Sequence, residues 1–284
     1  MGRSGTSALA RVLSLCGASL PEPLLGANES NPRGYWEPLD ALRLNDDFLF
    51  RHGATWFDPT LVLQNEIVFD HREREAYIEE IRRFLDRACP NRPLLVIKEP
   101  RITAVAEFWF EGARRAGLAT KIVIPVRHPE EVAASLASCG KASLALSAAL
   151  WLKYNLLAEL RSRGLPRAFI EYPNLLNDWR REIARISSTL SVNLSNADEP
   201  QIDAFLRHAL HRQRRSESSR KLFNEPWIER VYSIFSAAAR GEPCDPRIMD
   251  EIFSAYSACE RMFRISVEEF HSRFSPQVLK YERP

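Results

Sequence analysis

Two short, continuously apolar runs, each ending in charged residues, constrain the fold more than any other feature of the chain. Residues 93–97 read PLLVI and are followed by Lys98 and Glu99, and residues 121–126 read KIVIPV and are followed by Arg127. Runs that are apolar on both faces are typical of strands in parallel sheets covered by helices on both sides. The sequence therefore predicts two buried parallel strands whose ends present charge.

Helical patterns separate these runs from each other and from a third run at residues 168–170, which is followed by Tyr172. Alternation of strands and helices predicts an α/β fold, a parallel sheet flanked by helices on both faces. The chain beyond residue 173 is predicted to be largely helical, and residues 1–284 are predicted to form a single domain. The predicted helices before that point cover residues 71–89, 104–116, 129–138 and 142–163, with a mostly helical stretch up to residue 53.

The chain begins with a glycine-containing loop, MGRSGTS, that runs directly into a helix. An apolar face at Leu9, Val12 and Cys16 has helical spacing, and Gly17 is a typical helix end. The unpaired N–H groups and the dipole of a helix N-terminus favour an anion, and Arg3 adds positive charge. Two alternatives have to be weighed, and the first, an ordinary helix cap, stays open because a loop of this composition also serves that role.

The second alternative is a Walker A loop, which is not matched because no lysine precedes Thr6 or Ser7. A phosphate loop in an α/β fold normally follows a buried strand, and here only Met1 and Gly2 precede the loop. We therefore expect the first strand to be missing from this sequence and the native translation start to lie upstream.

Composition excludes several classes of protein. The 284 residues include 39 Lys and Arg against 37 Asp and Glu, a balance that does not favour nucleic acid as a partner. Five cysteines without CxxC spacing favour reduced thiols over a disulfide framework or a zinc site. The sequence contains no apolar run near 18 residues and no secretion signal at its start. We expect a cytoplasmic protein without a membrane span and without a metal.

The motifs resemble those of sulfotransferases that use 3′-phosphoadenosine 5′-phosphosulfate (PAPS). The loop Arg3-Ser4-Gly5-Thr6-Ser7 is similar to the R-S-G-T-[ST] loop that holds the 5′-phosphosulfate of the donor. Residues 127–135, RHPEEVAAS, are similar to the 3′-phosphate element R-x-P-x-x-V-x-x-S. Two further stretches resemble segments of bacterial members: KEPR at residues 98–101 and RGYWE at residues 33–37. The resemblance covers about residues 2–180 and implies a P-loop-like α/β fold.

The resemblance also implies a role for each site residue. Arg3 and Lys98 would flank the sulfuryl group, and Arg127 and Ser135 would bind the 3′-phosphate. The backbone of Ser4, Gly5, Thr6 and Ser7 and the Thr6 and Ser7 hydroxyls would bind the 5′-phosphate. Tyr172 is a candidate for stacking near the adenine. The expected product is adenosine 3′,5′-bisphosphate, and no metal is required.

An alcohol or amine acceptor loses a proton as it attacks, so a general base is expected nearby. Glu37 is the preferred candidate because it follows an aromatic pair, Tyr35 and Trp36, in a loop expected to face the donor; Glu29 is second, and Asp40 and His52 are weaker candidates. The acceptor is predicted to be a carbohydrate, a glycolipid or a small metabolite. The aromatic pair is either part of the core or a wall of the acceptor site.

The basic segment 208–221 is either a solvated surface or a flap that covers the donor phosphates or meets an acidic acceptor. Two other functions stay open from the sequence. One is a small-molecule or nucleoside kinase with a degenerate P-loop, and the other is a catalytically inactive nucleotide-binding module.

Overall fold

The computed structural model describes residues 1–29, 31–88, 94–139, 142–195, 197–207, 226–243 and 245–274. Within these ranges the chain forms twelve α-helices, two β-strands and one 3₁₀ helix, a mostly helical α/β arrangement. The first five helices and the 3₁₀ helix are α1 (Thr6–Leu15), α2 (Leu39–Arg51), α3 (Val62–Asn65), α4 (His71–Ala88), the 3₁₀ helix (Pro100–Val105) and α5 (Ala106–Arg115). The remaining elements are β1 (Ile122–Val126), α6 (Pro129–Ser138), α7 (Leu144–Ser162), β2 (Arg167–Glu171), α8 (Tyr172–Asn177), α9 (Trp179–Leu190), α10 (Glu199–Arg207), α11 (Pro226–Ala239) and α12 (Pro246–Phe274).

The two strands pair in parallel, in a register that runs from Ile122 opposite Arg167 to Val126 opposite Glu171. Alternate residues point to opposite faces of the sheet, so each face must be covered separately. Ile124 and Phe169 pack into an apolar cluster with α6, α7, α11 and α12. Ala168 packs on the other face with α1, α8, α9 and α10. The prediction of a parallel arrangement with helices on both faces is confirmed for these two strands.

The run at residues 93–97 does not form the predicted strand. Pro93 lies outside the described residues, and Leu95 makes only one isolated parallel bridge, with Ser19. The Ser19 N–H donates to the Leu94 carbonyl at 2.9 Å, and the Val96 N–H donates to the Ser19 carbonyl at 2.8 Å. The pairing stops there because Pro21, two residues beyond Ser19, has no N–H to donate to a ladder.

The helix predictions before residue 173 are confirmed with small shifts at their ends. The largest shift is at residues 104–116, where the 3₁₀ helix precedes α5 and takes the first residues of the predicted helix. Helices α4 and α5 pack closely at Gly112, where an added methyl group would lie only 2.5 Å from Ile81 Cγ2. The basic segment 208–221 lies outside the described residues. No helix in the described ranges is long and apolar enough to cross a membrane.

Candidate functional site

A cavity of about 340 Å³ lies at the start of α1, beyond the ends of both strands. Of the ten residues predicted for the site, nine line it, and Ser4 does not. The nine come from the first loop, α1, the loop before α2, the 94–99 segment, the end of β1, α6 and the start of α8. The fold therefore brings together residues that lie up to 169 positions apart in the sequence.

The loop before α1 has a conformation that requires glycine. Gly5 has φ of 88°, and a methyl group at this position would lie 2.1 Å from Cδ2 of Tyr172. Arg3 also has a positive φ of 67°, which is uncommon for a residue with a side chain. No side chain caps α1, and Thr6 and Ser7 in its first turn line the cavity. The positive end of this helix dipole is thus directed towards the cavity.

Five residues, here called the arginine group, interlock beside this loop: Arg3, Gly5, Arg127, Ser135 and Tyr172. The Arg3 Nε donates to Ser135 Oγ at 2.8 Å, and the Arg127 Nη1 donates to the Arg3 carbonyl at 2.9 Å. The Arg127 guanidinium lies 5.0 Å from the centre of the Tyr172 ring, which packs in turn against Gly5. Arg127 is held from its other side by Glu131, at 3.0 Å from Nε. Each member thus positions another.

Lys98 and Glu37 form a nearly buried ion pair in the same cavity, with 11% and 7% of their side chains exposed. The Lys98 Nζ also donates to Ser7 Oγ at 3.3 Å and to the Tyr35 carbonyl at 3.2 Å. Burial lowers the pKa of Lys98 from its usual value, and the neighbouring Glu37 opposes that shift. Lys98 therefore connects the first turn of α1 to the loop that carries Glu37.

Four further residues, here called the tryptophan group, meet in another part of the lining: Gly2, Trp56, Pro100 and Arg101. A methyl group at Gly2 would lie 3.3 Å from the Trp56 ring and 3.9 Å from Pro100 Cγ. The Arg101 guanidinium lies 6.0 Å from the centre of that ring. Because Gly2 and Arg3 are adjacent, one short loop carries a member of each group.

The side chain of Arg101 is held by two carboxylates, Glu99 and Asp46. Its Nη1 donates to Glu99 Oε1 at 2.6 Å, and its Nε donates to Asp46. The Glu99 side chain is fully buried and also accepts from Asn45. Burial raises the pKa of Glu99 to about 7, and the charge of Arg101 opposes that shift. The positive charge of the Arg101 guanidinium is therefore balanced by two carboxylates that do not line the cavity.

Several residues that were candidates from the sequence do not line the cavity. Ser4 is 1% exposed, and its hydroxyl has no hydrogen-bond partner within the described ranges. Trp36, with φ of 58°, packs under Arg11, whose guanidinium lies 4.5 Å from its ring centre. Of the alternative bases, Glu29 and Asp40 are not lining residues. His52 lies 3.3 Å from Glu73 and packs on Phe48, likewise outside the lining.

Several lining residues were not predicted for the site, and Trp56, Phe205 and Arg33 are three of them. Arg33 donates to the Phe205 carbonyl, and its guanidinium lies 5.2 Å from the centre of that ring. The motif containing Arg33 was a signal for its position, whereas Phe205 lies beyond the range of the resemblance. Trp56 stands in a loop without a recognised motif, so no local pattern indicated it.

The lining is strongly positive. It contains five basic side chains, Arg3, Arg33, Lys98, Arg101 and Arg127, and one acidic side chain, Glu37. A concave surface with this charge favours an anionic ligand with several charges, since guanidinium groups bind phosphate and sulfate oxygens in bidentate geometry. Within the described part of the chain no cluster of His, Cys, Asp and Glu is arranged to hold a metal ion.

Comparison of the chain with protein-family models gives no match, and comparisons with curated proteins and with solved structures give none either.

Proposed function

We propose that the protein is a sulfotransferase that moves a sulfuryl group from PAPS to a hydroxyl or amine of an acceptor. The observation that carries the proposal is the contact between two motifs distant in sequence, in which the Arg3 Nε donates to Ser135 Oγ at 2.8 Å. The resemblance assigns Arg3 to the sulfuryl end of the donor and Ser135 to the 3′-phosphate. Their contact in one basic cavity supports a single ligand that carries both groups.

The arginine group provides the chemistry that this donor needs. Arg127, Arg3 and the Ser135 hydroxyl present donors to phosphate oxygens, and the first turn of α1 adds N–H groups with the positive end of its dipole. Tyr172 offers a flat face beside Arg127. A P-loop-like fold is part of the proposal and is supported by the loop, helix and strand-end arrangement, not by the two-stranded ladder alone.

PAPS supplies an activated sulfuryl group, bonded through oxygen to its 5′-phosphate. In the proposed reaction the acceptor oxygen or nitrogen bonds to sulfur while the bond from sulfur to the phosphate oxygen breaks. Lys98 stabilises the charge that develops on this leaving oxygen, and Glu37 takes the proton lost by the acceptor. The two residues are already hydrogen-bonded to each other in a nearly buried pair. Their contact places the proposed base and the leaving-group donor in one part of the cavity, and the hydrogen bond between them must break for the sulfuryl group to lie between the two.

Calorimetric titration of the purified full chain tests the donor assignment. We expect micromolar binding of adenosine 3′,5′-bisphosphate without added metal, and much weaker binding of ADP with Mg²⁺. Binding of Mg-ADP alone would contradict the proposal and support the kinase alternative. Binding of both with equal affinity would also contradict it, since the 3′-phosphate would then contribute nothing.

The Arg127→Ala variant tests the 3′-phosphate contact. Loss of charge-assisted hydrogen bonds worth about 1.5–3 kcal/mol predicts about 10- to 100-fold weaker binding of the bisphosphate. AMP, which lacks the 3′-phosphate, should lose much less affinity in the variant than the bisphosphate does. Arg247→Ala is the matched control, because Arg247 is 86% exposed and pairs with Asp245 far from the cavity lining. Equal loss for both ligands would overturn the assignment.

A further inference from the structure

The tryptophan group is a second binding surface in the cavity, separate in composition from the arginine group. Trp56 and Pro100 provide apolar surface, and Arg101 provides donors beside the indole, with its guanidinium over the ring at 6.0 Å from the ring centre. The sequence motifs that implied donor-binding roles did not include Trp56. Arg101 is the charged member of this surface, and its Nε and Nη1 are already bound to Asp46 and Glu99.

The tryptophan group lies next to the proposed transfer chemistry. Arg101 follows Lys98 by three positions, at the end of the same extended segment. Gly2 contacts Trp56 and precedes Arg3, whose charge contributes to the lowered pKa of Lys98. A molecule resting on Trp56 is therefore placed to present a hydroxyl to the Lys98–Glu37 pair.

Trp56 is held in place by side chains from distant helices. The Tyr154 hydroxyl, on α7, donates to the Trp56 carbonyl at 3.0 Å. Lys153 donates to the Asp58 carbonyl at 2.9 Å, and the Tyr256 hydroxyl, on α12, donates to the Pro59 carbonyl at 2.6 Å. Three side chains thus fix a short loop that has no regular secondary structure of its own. An aromatic ring on so constrained a backbone loses little entropy when it binds a ligand.

Charge around Arg101 decides which class of molecule fits. Arg101 is bound by two carboxylates, Glu99 and Asp46, whereas Arg127 has one carboxylate partner among the residues that the structure describes, Glu131, so more of the charge of Arg101 is compensated. Its Nε and Nη1 donate to these carboxylates, so what Arg101 offers a ligand is the remaining N–H groups of its guanidinium, next to an apolar face. An uncharged sugar ring matches this arrangement, because one face of the ring presents C–H groups and its edge presents hydroxyls.

We propose that Trp56 and Arg101 form the acceptor subsite, and that the acceptor is an uncharged sugar whose ring packs on Trp56 and whose hydroxyls bind Arg101. This inference rests on the proposed function and names the substrate class of the same cavity. The aromatic pair that the sequence left as either core or acceptor wall is divided by the structure, since Tyr35 lines the cavity and Trp36 lies outside the lining. In this proposal Trp56 binds the acceptor and takes no part in the transfer of the sulfuryl group.

The experiment measures release of adenosine 3′,5′-bisphosphate from PAPS by the full chain in the presence of three sets of acceptors. These are neutral mono- and disaccharides, the matching uronic acids, and simple phenols. We expect a neutral sugar to give the largest increase over the rate without acceptor. Greater stimulation by a uronic acid or a phenol would overturn the inference, and so would the absence of stimulation by every acceptor.

Variants then test the surface itself. Trp56→Ala should raise the KM for the best sugar at least 10-fold, while the Kd of the bisphosphate changes less than twofold, and Trp56→Phe should recover most of the KM. Arg101→Lys should raise the KM for that sugar while leaving the same Kd unchanged. Equal KM values in wild type and Trp56→Ala would contradict the inference. Failure of the wild type to bind the bisphosphate would instead reject the proposed function, so the two failures are distinguishable.

Discussion

The arginine group and the tryptophan group line the same cavity but are held by different kinds of contact. Members of the arginine group hold one another, as the Arg3–Ser135 and Arg127–Arg3 bonds show. Members of the tryptophan group are held by residues outside the lining, among them Tyr154 and Glu99. The contacts of the arginine group therefore join its own members, most of which belong to short sequence motifs. The positions of the tryptophan group depend instead on residues packed around it.

Gly5→Ala should have the largest effect, because it disrupts the arginine group directly. The added methyl group would lie 2.1 Å from Tyr172, at φ of 88°. We expect a loss of about 4 kcal/mol in the free energy of unfolding, since overpacking adds to the cost of a left-handed backbone. Denaturant unfolding of the variant and the wild type measures this loss of stability.

Gly53→Ala is the matched control for this change. Gly53 has a similar positive φ of 67°, but a methyl group there would meet nothing within 4 Å. Only the backbone cost of about 1–2 kcal/mol should remain. If the two variants lost equal stability, contact between Gly5 and Tyr172 would not be what requires glycine in the loop.

Lys98→Ala comes next and tests a residue of the lining that belongs to neither group. Loss of a preorganised positive charge at the leaving oxygen should lower kcat by about 10²- to 10³-fold. The Kd of adenosine 3′,5′-bisphosphate, measured by calorimetry, should change only a few-fold, because this ligand lacks the sulfuryl group.

A second variant separates this effect from the cost of leaving Glu37 buried without its partner. The double variant Lys98→Ala/Glu37→Gln removes the unpaired charge and should regain stability without regaining activity. Recovery of kcat in the double variant would show that transfer needs neither the charge of Lys98 nor the carboxylate of Glu37, and both assignments would then be wrong.

Glu99→Gln probes the support behind the tryptophan group through pH. The pKa of Glu99 is raised by burial from 4.5 to about 7, so the folded protein binds this proton more tightly than the unfolded chain. The resulting stabilisation is complete below the unfolded pKa and is lost as pH rises towards 7. The slope contributed by this group is at most about 1.4 kcal/mol per pH unit.

Unfolding free energies measured between pH 4.5 and 7 should therefore fall more steeply for the wild type than for Glu99→Gln. Binding of the bisphosphate at pH 7 should be nearly the same in both proteins, since the hydrogen bonds of Glu99 are to Arg101 and Asn45. Parallel pH profiles would show that the carboxyl of Glu99 has the same pKa in the folded and unfolded chains.

Tyr154→Phe should give the smallest effect. It removes the donor to the Trp56 carbonyl and should cost about 1 kcal/mol of stability. We also expect the KM for the acceptor to rise severalfold without a change in donor binding, because only the tryptophan group loses a support. A loss of donor affinity equal to the loss of acceptor affinity would remove the distinction between the two groups.

Much of the fold could be predicted from the sequence. The strands at 122–126 and 167–171 and the helices between them follow from local apolar patterns, because buried parallel strands and amphipathic helices have different periods. The run at 93–97 was predicted as a strand on the same grounds, but a ladder needs a partner of adequate length. Ser19, followed closely by Pro21, provides only one bridge.

The candidate site likewise has one part that could be predicted from the sequence and one part that could not. The sequence by itself determined the glycine loop, the basic residues at the strand ends and the position of Ser135 on α6, because each depends on a few neighbouring residues. Only the tertiary structure decided that Trp56, not Trp36, lines the cavity and that Glu99 and Asp46 compensate Arg101. The position of Trp56 depends on hydrogen bonds from Tyr154 and Tyr256, about 100 and 200 residues away. No local pattern can encode a contact whose partners come from separate elements, so this part of the site is a property of the packed molecule.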